Sequence, residues 1–288
     1  MNDCAPQVFE YCPPASIGPG RDVPILCASP HSGCHYPPAW LAASELSEMA
    51  LRKSEDVSVH ALYADAPDIG LGLLSARYAR AYVDLNRARD ELDPALIEGA
   101  QAAGRNPRVA SGLGVIPRIV GPRAYIQKGK ITQEAAEERL THVWDPYHTQ
   151  LRALLNTHYA QGGQVILLDL HSMPQAALDA IGQPDLDIVL GDLHGQACAP
   201  WITEVAEAAL IAQGFRVQRN IPFAGAYNMQ QYGRPRMGRH ALQIEIARRL
   251  YMDEGSYDMT AGFAAVRARL AQALADIRAH AVTRLGLS

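Results

Sequence analysis

Two histidines follow apolar runs that are typical of buried strands. His31 lies at the end of PILCASPHSG, and His171 lies in VILLDLHSMP. In open α/β sheets, functional side chains gather beyond the carboxyl ends of the strands, so two imidazoles placed there can converge on one ion. Neutral imidazole suits zinc, and a catalytic zinc commonly has three protein ligands and an open position for water. The sequence therefore predicts one divalent metal ion, in the first instance Zn²⁺, held by His31 and His171.

The third ligand of such a site should be a carboxylate. Glu55 and Asp56 follow Ser54, which we predict to be the N-cap of a helix over residues 54–64. Successive residues of a helix point about 100° apart, so the two acids cannot serve equally. We expect Asp56 to be the ligand rather than Glu55. The alternative for either histidine is an ordinary hydrogen-bonded loop residue.

Basic and amide side chains follow another predicted strand, residues 82–85 in the segment VDLNR. The planar guanidinium of Arg87 can bind a carboxylate bidentately, and Asn86 beside it adds a donor. Arg80, slightly upstream, is placed to polarise a carbonyl oxygen and to stabilise an oxyanion. The alternative is a surface network in which Arg87 and its neighbour Arg89 pair with nearby acids, namely Asp84, Asp90 or Glu91.

Glu245 lies inside the strongly apolar run ALQIEIARRLY. An isolated acid there is costly unless it is paired or faces a cleft. Burial raises the pKa of a carboxyl group, which suits a general base that removes a proton from the attacking water. The alternative is that Glu245 pairs with Arg248 or Arg249.

The loop before this run, PFAGAYNMQQYGRPRMGRH, is dense in Gly, Pro, Tyr, Asn and Arg. Loops of this composition often close over a substrate. We expect Arg234 and Arg239 to meet an anionic group of the substrate there. A plain solvated loop is the alternative, since the spacing alone does not decide between the two.

Strands and helices must position these side chains. Short apolar runs predict strands at residues 23–28, 82–85, 164–170, 187–190, 215–218 and 242–246. Helical patterns lie between them at 54–64, 132–140, 147–159, 197–213 and 260–282. Pro146 is expected to interrupt the helical pattern between 140 and 147. His142, His148 and His158 are expected on the helix surface. This alternation predicts an α/β fold with a largely parallel sheet, and scattered Gly and Pro favour one domain over residues 1–288. Residues 90–127 form a long loop, which is usually functional or mobile.

Composition excludes several classes of protein. The 288 residues carry a formal net charge of −4 without a basic block, which argues against a nucleic-acid partner. No apolar stretch is long enough to cross a membrane, and the N-terminus does not resemble a secretory signal. The five cysteines are odd in number and contain no Cys-x-x-Cys, so a reducing cytoplasm is the expected compartment.

Eight motifs follow one another in an order typical of one enzyme family. They are SPHSG, VDLNR, GLGVIPR, DPYH, LLDLHSMP, DIVLGD, PFAGAYNMQQYGRP and HALQIEIARRLYMDE. Through these motifs nearly the whole chain resembles the N-formylglutamate amidohydrolases. The resemblance implies hydrolysis of N-formyl-L-glutamate to formate and L-glutamate, the closing step of one route of histidine degradation. The family resemblance thereby implies a small-molecule partner.

That family is distantly related to the zinc carboxypeptidases and aspartoacylase. The kinship implies a three-layer α/β/α sandwich with a mixed, largely parallel sheet. It also implies a His–acid–His metal site, an Asn–Arg clamp for the substrate carboxylate and a Glu general base. Carried onto this sequence by motif, these are His31, a carboxylate and His171, with Asn86, Arg87 and Glu245.

The chain departs from its relatives at two places. His31 is followed by Ser32, Gly33 and Cys34, where the carboxypeptidases have His-x-x-Glu, so the third ligand comes from elsewhere. In YNMQQYG, similar proteins more often carry a second Gly and a Thr, which bears on the acyl amino acid that is cleaved. The alternatives are a related metal-dependent deacylase or carboxypeptidase acting on another N-acyl amino acid or peptide, and a non-catalytic binding protein of the same fold.

Overall fold

The computed structural model describes residues 7–15, 23–101, 106–121 and 124–287. The strands in these ranges are β1 (Phe9–Cys12), β2 (Ile25–Ser29), β3 (Gly72–Ala76), β4 (Ile119–Val120), β5 (Ala124–Tyr125), β6 (Val165–Met173), β7 (Ile188–Gly191), β8 (Val217–Arg219) and β9 (Arg239–Ala247). The α-helices are α1 (Pro38–Ala42), α2 (Glu48–Leu51), α3 (Val59–Leu62), α4 (Pro107–Ala110), α5 (Gln133–Arg139), α6 (Asp145–Gly162), α7 (Gln175–Asp179), α8 (Pro200–Ala212), α9 (Tyr227–Tyr232) and α10 (Phe263–Arg284).

Seven of these strands form one mixed sheet in the order β1-β3-β2-β6-β9-β7-β8. β6 pairs in parallel with both β2 and β9, whereas β7 runs antiparallel to β9. Every residue of β6 and all but the first of β9 are buried, as expected for strands in the middle of a sheet. The predicted α/β class with a mixed, largely parallel sheet is confirmed.

Contacts group the chain into two compact units. The first consists of Met1–Glu10, Pro30–Val57 and Ser75–Arg152. Its apolar cluster contains Tyr36, Trp40, Leu51, Ala79, Ala81, Val120 and Ile126. The second consists of Tyr11–Ser29, Ser58–Leu74 and Ala153–Ser288, and within it α8 packs on α10. The single domain over residues 1–288 stays a prediction.

The strand predicted at residues 82–85 is wrong. This segment is a turn, in which Tyr82 N–H donates to Ala79 O and Asp84 N–H to Val115 O. Val83 and Leu85 are fully buried, so their apolar character reflects burial rather than strand pairing.

The helix predicted over residues 54–64 is also wrong. A short 3₁₀ turn ends at Ser54, whose hydroxyl donates back to Leu51 O at 2.9 Å instead of capping a following helix. Ser58 then takes a left-handed φ of 57°, and α3 begins after it. The acids Glu55 and Asp56 therefore lie in an irregular segment between the two helical turns.

The predicted helix over 132–140 is confirmed, since the Thr132 side chain caps α5 by accepting from Ala135 N–H. The expected interruption at Pro146 is absent, because a π-helical turn at Leu140–Trp144 leads directly into α6. Such turns absorb a local mismatch of the backbone hydrogen bonds. His148 and His158 are buried, contrary to their predicted surface position. None of the described helices is long and apolar enough to span a membrane.

Candidate active site

Strands β6 and β9 bring His171 and Glu245 side by side, since the two residues are partners in the parallel register. His171 and Asp169 lie two apart on β6, so they share one face of the sheet. His171 Nε2 lies 2.9 Å from Asp169 Oδ2, and Asn228 of α9 donates to the other carboxylate oxygen at 3.0 Å. When Nε2–H is donated to Asp169, Nδ1 of the neutral ring carries the lone pair that a metal needs.

His31 occupies the turn immediately after β2, the strand that pairs with β6. Its Nε2 lies 2.7 Å from Asp84 Oδ1 and its Nδ1 lies 3.5 Å from Asp56 Oδ2. Gly33 allows the turn to pass close to the backbone, because a Cβ there would lie 2.2 Å from Tyr78 O. Within the motif SPHSG, the histidine therefore supplies the imidazole and the glycine allows the tight turn that positions it.

Asp56 and Glu55 serve different neighbours. Asp56 N–H donates to His31 O at 3.0 Å, and the Asp56 carboxylate faces the imidazole. Glu55 is extended, with φ −70° and ψ 148°, so its side chain leaves on the other side of the backbone. It accepts hydrogen bonds from Tyr36 Oη and from Arg52 Nε. Burial raises the pKa of the Glu55 carboxyl, and the hydrogen bonds from Tyr36 and Arg52 partly offset this rise.

The structure brings His31, Asp56 and His171 together as a buried cluster. Each offers one ligand atom, and these atoms all lie within 4.8 Å of one another. Two imidazoles and one carboxylate form a donor set that suits zinc and leaves a fourth position for water. Each imidazole also contacts a buried aspartate through its other nitrogen, as metal-bound histidines in proteins usually do. The residues present therefore fit a divalent metal ion.

Asp84 organises the basic residues near His31. It accepts hydrogen bonds from Arg80 Nε at 2.9 Å and from Asn86 N–H at 2.8 Å, and Arg87 Nε lies 3.9 Å from it. Burial alone would raise the pKa of the Asp84 carboxyl, but Arg80, His31 and Arg87 hold that pKa well below its usual range. A carboxylate that stays ionised keeps the imidazole of His31 oriented.

Arg87 is 5% exposed, and its Nε donates to Leu113 O at 3.0 Å. Its contacts with Asp84 and Glu91 are long, at 3.9 and 3.8 Å. Burial lowers the pKa of Arg87 somewhat, while Asp84 opposes that change. The burial of Arg87 does not match the alternative of a solvent-exposed ion-pair network. Arg89, by contrast, does form surface ion pairs, with Glu137 and Asp145.

Trp144, the last residue of the π-helical turn, and His148, in the first turn of α6, hold the backbone that presents Asn86 and Arg87. Trp144 Nε1 donates to Arg87 O at 3.0 Å, and His148 Nε2 lies 3.0 Å from Leu85 O. The motif DPYH is thereby explained, because its histidine is a buried support of the VDLNR turn rather than a surface residue.

Glu245 is 8% exposed, and its Oε1 accepts a hydrogen bond from Gln243 Nε2 at 3.0 Å. Arg249, one of the two partners that the sequence allowed for it, pairs instead with Asp187 at 2.9 Å. The other, Arg248, is buried and its Nε donates to Ser172 Oγ at 3.2 Å, and it stays a predicted partner of Glu245. Glu245 lies next to His171 in the sheet because the two residues are register partners.

The structure does not bring Arg234 and Arg239 to this site, and their role in substrate binding stays a prediction. Arg239 opens β9 beside Val165, about 20 Å along the strand from Glu245 at roughly 3.3 Å per residue. Its guanidinium stacks on Tyr159 and donates to Asn156. Arg234 bonds to Arg239 through the backbone and therefore lies at the same end of the strand.

Sequence reasoning missed the residues that orient the two histidines, Asp84, Asp169 and Asn228. One of them left a signal, because Asp169 and His171 are separated by a single residue in LLDLHS and alternate residues of a strand share a face. Asp84 was considered only as an ion-pair partner of arginines. Asn228 lies far away in the sequence, and only the fold places it beside Asp169.

Comparison with known proteins decides the family. A family model described as N-formylglutamate amidohydrolase matches residues 23–252. The chain belongs to the N-formylglutamate amidohydrolase family. An N-formylglutamate deformylase of Pseudomonas aeruginosa is 32% identical over 237 residues, which cover 81% of this chain and 83% of that protein. A second one, from Pseudomonas putida, is 29% identical over 240 residues, which cover 83% of this chain and 85% of that protein.

Solved structures agree with this family. The crystal structure of an N-formylglutamate amidohydrolase from Ralstonia eutropha JMP134 matches with a TM-score of 0.90 and 33% identity, covering 96% of this chain and 99% of that one. A gene product of Agrobacterium tumefaciens, Atu2144, is similar at a TM-score of 0.68 and 15% identity over 98% of this chain and 97% of that one, which shows a shared fold. As a member of the amidohydrolase family, the chain is an enzyme that acts on a linear amide.

Proposed function

We propose that this amidohydrolase cleaves N-formyl-L-glutamate to formate and L-glutamate, and that His31, Asp56 and His171 hold a divalent metal ion, in the first instance Zn²⁺. The proposal depends most on one observation, the buried cluster of these three side chains with ligand atoms within 4.8 Å of one another. The names of the relatives from both Pseudomonas species support the substrate. A zinc ion at such a site lowers the pKa of water and polarises a carbonyl oxygen.

Binding of the substrate is assigned to Asn86 and Arg87. Arg87 is buried, and its side chain is fixed through Nε by Leu113 O, so its planar terminal nitrogens can grip a carboxylate without first being ordered. Asn86 is held by its backbone bond to Asp84 and adds an amide donor. We assign this pair to the α-carboxylate of the substrate.

Proton transfer is assigned to Glu245. Its carboxylate lies beside His171 in the sheet register and is fixed by Gln243. Glu245 takes a proton from the attacking water and returns it to the leaving nitrogen. Arg80, oriented by its bond from Nε to Asp84, donates to the oxyanion as the carbonyl carbon becomes tetrahedral.

A cytoplasmic location is part of this proposal. Three cysteines among the described residues, Cys27, Cys34 and Cys198, are free thiols. Free thiols fit a reducing compartment.

The test is turnover of N-formyl-L-glutamate by the purified protein, before and after chelation and after zinc is returned. We expect release of formate that chelation abolishes and zinc restores. Full turnover after complete removal of metal would contradict the metal site. A panel with N-acetyl-L-glutamate, N-formyl-L-aspartate and a C-terminal dipeptide checks the substrate, and preference for any of these would place the chain with another deacylase or a peptidase.

A further inference from the structure

One cavity is lined by residues other than those assigned to hydrolysis. It is open to solvent on one side and has a volume of about 440 Å³ between α1, the turn at Tyr82 and the end of α5. Its lining includes Trp40, Tyr82, Lys128, Glu138 and Arg139, and none of the residues that we assign to the metal, the substrate or proton transfer. This volume is within the range of small-molecule sites, which is about 300–1,000 Å³.

The cationic group of this cavity is Arg139, which is half-buried. Its guanidinium lies over the ring of Tyr82, with Cζ 4.9 Å from the centroid. Within the described ranges of the chain, no carboxylate lies within 4.0 Å of it and no acceptor takes a hydrogen bond from it. Burial lowers the pKa of Arg139, and Tyr82 and Glu138 oppose that change.

The guanidinium of Arg139 has N–H donors for which the described residues supply no acceptor. Stacking on Tyr82 satisfies one face of the group, while its five N–H donors lie in the plane of the group and need acceptors at its edge. Loss of hydration without compensating hydrogen bonds is unfavourable, and a planar carboxylate would supply two parallel ones.

The remaining lining sets the rest of the ligand. Trp40 forms part of an apolar cluster, stacks on Tyr36 and meets Tyr82 edge to face, so it provides a rigid aromatic wall. Lys128 is already paired with Glu45 at 3.4 Å, and Glu138 adds a negative charge at the rim. A single cation therefore lacks a partner, which favours a monoanion over a dianion.

We propose that this cavity binds a small monocarboxylate with an apolar body, with its carboxylate on Arg139 and its apolar part against Trp40. The site is separate from the catalytic residues. Its failure would leave the proposed deformylase activity untouched, because none of the variants below changes a residue assigned to hydrolysis.

The test is isothermal titration of the full chain with phenylacetate, and with phenylacetamide as the uncharged analogue of the same shape. We expect saturable 1:1 binding of phenylacetate and binding of the amide that is weaker by about tenfold or more, since bonds to a charged group are lost. Arg139→Gln should weaken phenylacetate binding to a similar degree. Arg152→Gln, which removes an exposed arginine bonded to Thr149, is the matched control and should bind as the wild type does.

A second variant guards against a folding defect at Arg139. Ala43 is exposed and lines the cavity, so Ala43→Trp fills the space without changing a charge and should also block binding. No saturable binding up to about 10 mM would overturn the proposal. Equal binding of the amide would also overturn it, because the carboxylate would then have no role. Equal binding by Arg139→Gln would remove the role of the arginine. Equally tight binding of inorganic phosphate or L-glutamate would remove the role of the apolar wall.

Discussion

His31 and His171 make the same two kinds of contact. One ring nitrogen meets a buried aspartate, and the side chain joins Asp56 in a cluster of possible ligands. The aspartates sit on different elements, one in the VDLNR turn and one on β6, so the arrangement is built twice from unrelated parts of the chain. Because both imidazoles are held in the same way, both are oriented for a metal.

At this scale, Arg87→Ala should raise KM by roughly 10–100-fold and change kcat less. The reason is that a clamp on the α-carboxylate binds the ground state and the transition state alike, and a charged hydrogen bond contributes about 1.5–3 kcal/mol. Steady-state kinetics check this, with Arg89→Ala, which loses only surface ion pairs, as the control. An unchanged KM in a folded Arg87→Ala protein would make Arg87 a structural residue.

Glu245→Gln should give a folded, metal-loaded and nearly inactive protein. The amide keeps the shape of the side chain but cannot accept a proton, and general-base catalysis contributes about 10²–10⁴-fold. The measurements are kcat, metal content and the circular dichroism spectrum, beside Glu204→Gln on the exposed face of α8. Retention of most of the turnover would show that another group is the base.

At the scale of elements, the turn after β2 depends on Gly33. Gly33→Ala would push a methyl group against Tyr78 O, so the turn must shift and His31 with it. We expect a loss of about 1–3 kcal/mol in the free energy of unfolding and weaker metal binding. Gly162→Ala, where a Cβ meets nothing within 4 Å, is the control for chemical denaturation and metal titration. Equal stability and metal affinity of the two variants would disprove the constraint.

Strand β6 carries its own support for His171. Asp169→Asn should lower the metal affinity about 10–100-fold while the strand and its partners persist, because an amide orients the imidazole less strongly than a carboxylate does. Competition with a chromophoric zinc chelator gives the affinity. Asp185→Asn, in which the changed side chain is 79% exposed, should leave it unchanged. Equal affinities in the two variants would remove Asp169 from the site.

At the scale of the whole molecule, metal binding should be coupled to stability. A ligand that binds only the folded state adds about 2.7 kcal/mol when its free concentration is 100 times Kd, so zinc should raise Tm and chelation should lower it. His171→Ala should remove both the zinc-dependent shift and the activity, while His142→Ala, at an exposed position, should keep them. A full shift in His171→Ala would rule out the proposed site.

The sequence by itself predicted the α/β class, the two histidines and the pair of adjacent acids, Glu55 and Asp56, from which the third ligand was chosen. Apolar runs report burial well, and a histidine at the end of such a run is placed by the strand whatever surrounds it. The same signal failed at residues 82–85, since Val83 and Leu85 are buried in a turn. Apolar character records that a segment is inside the protein, not which hydrogen bonds it makes.

Only the tertiary structure decided which neighbours each side chain meets. Glu55 and Asp56 are adjacent acids, and the extended backbone at Glu55, not a helical turn, sends them to opposite sides. Arg239 and Glu245 share one strand, yet the strand carries them about 20 Å apart. Asp84 meets His31 across 53 positions of the sequence, and Asn228 meets Asp169 across 59. Local sequence sets burial and backbone tendency, whereas contacts over such separations exist only after the chain has folded.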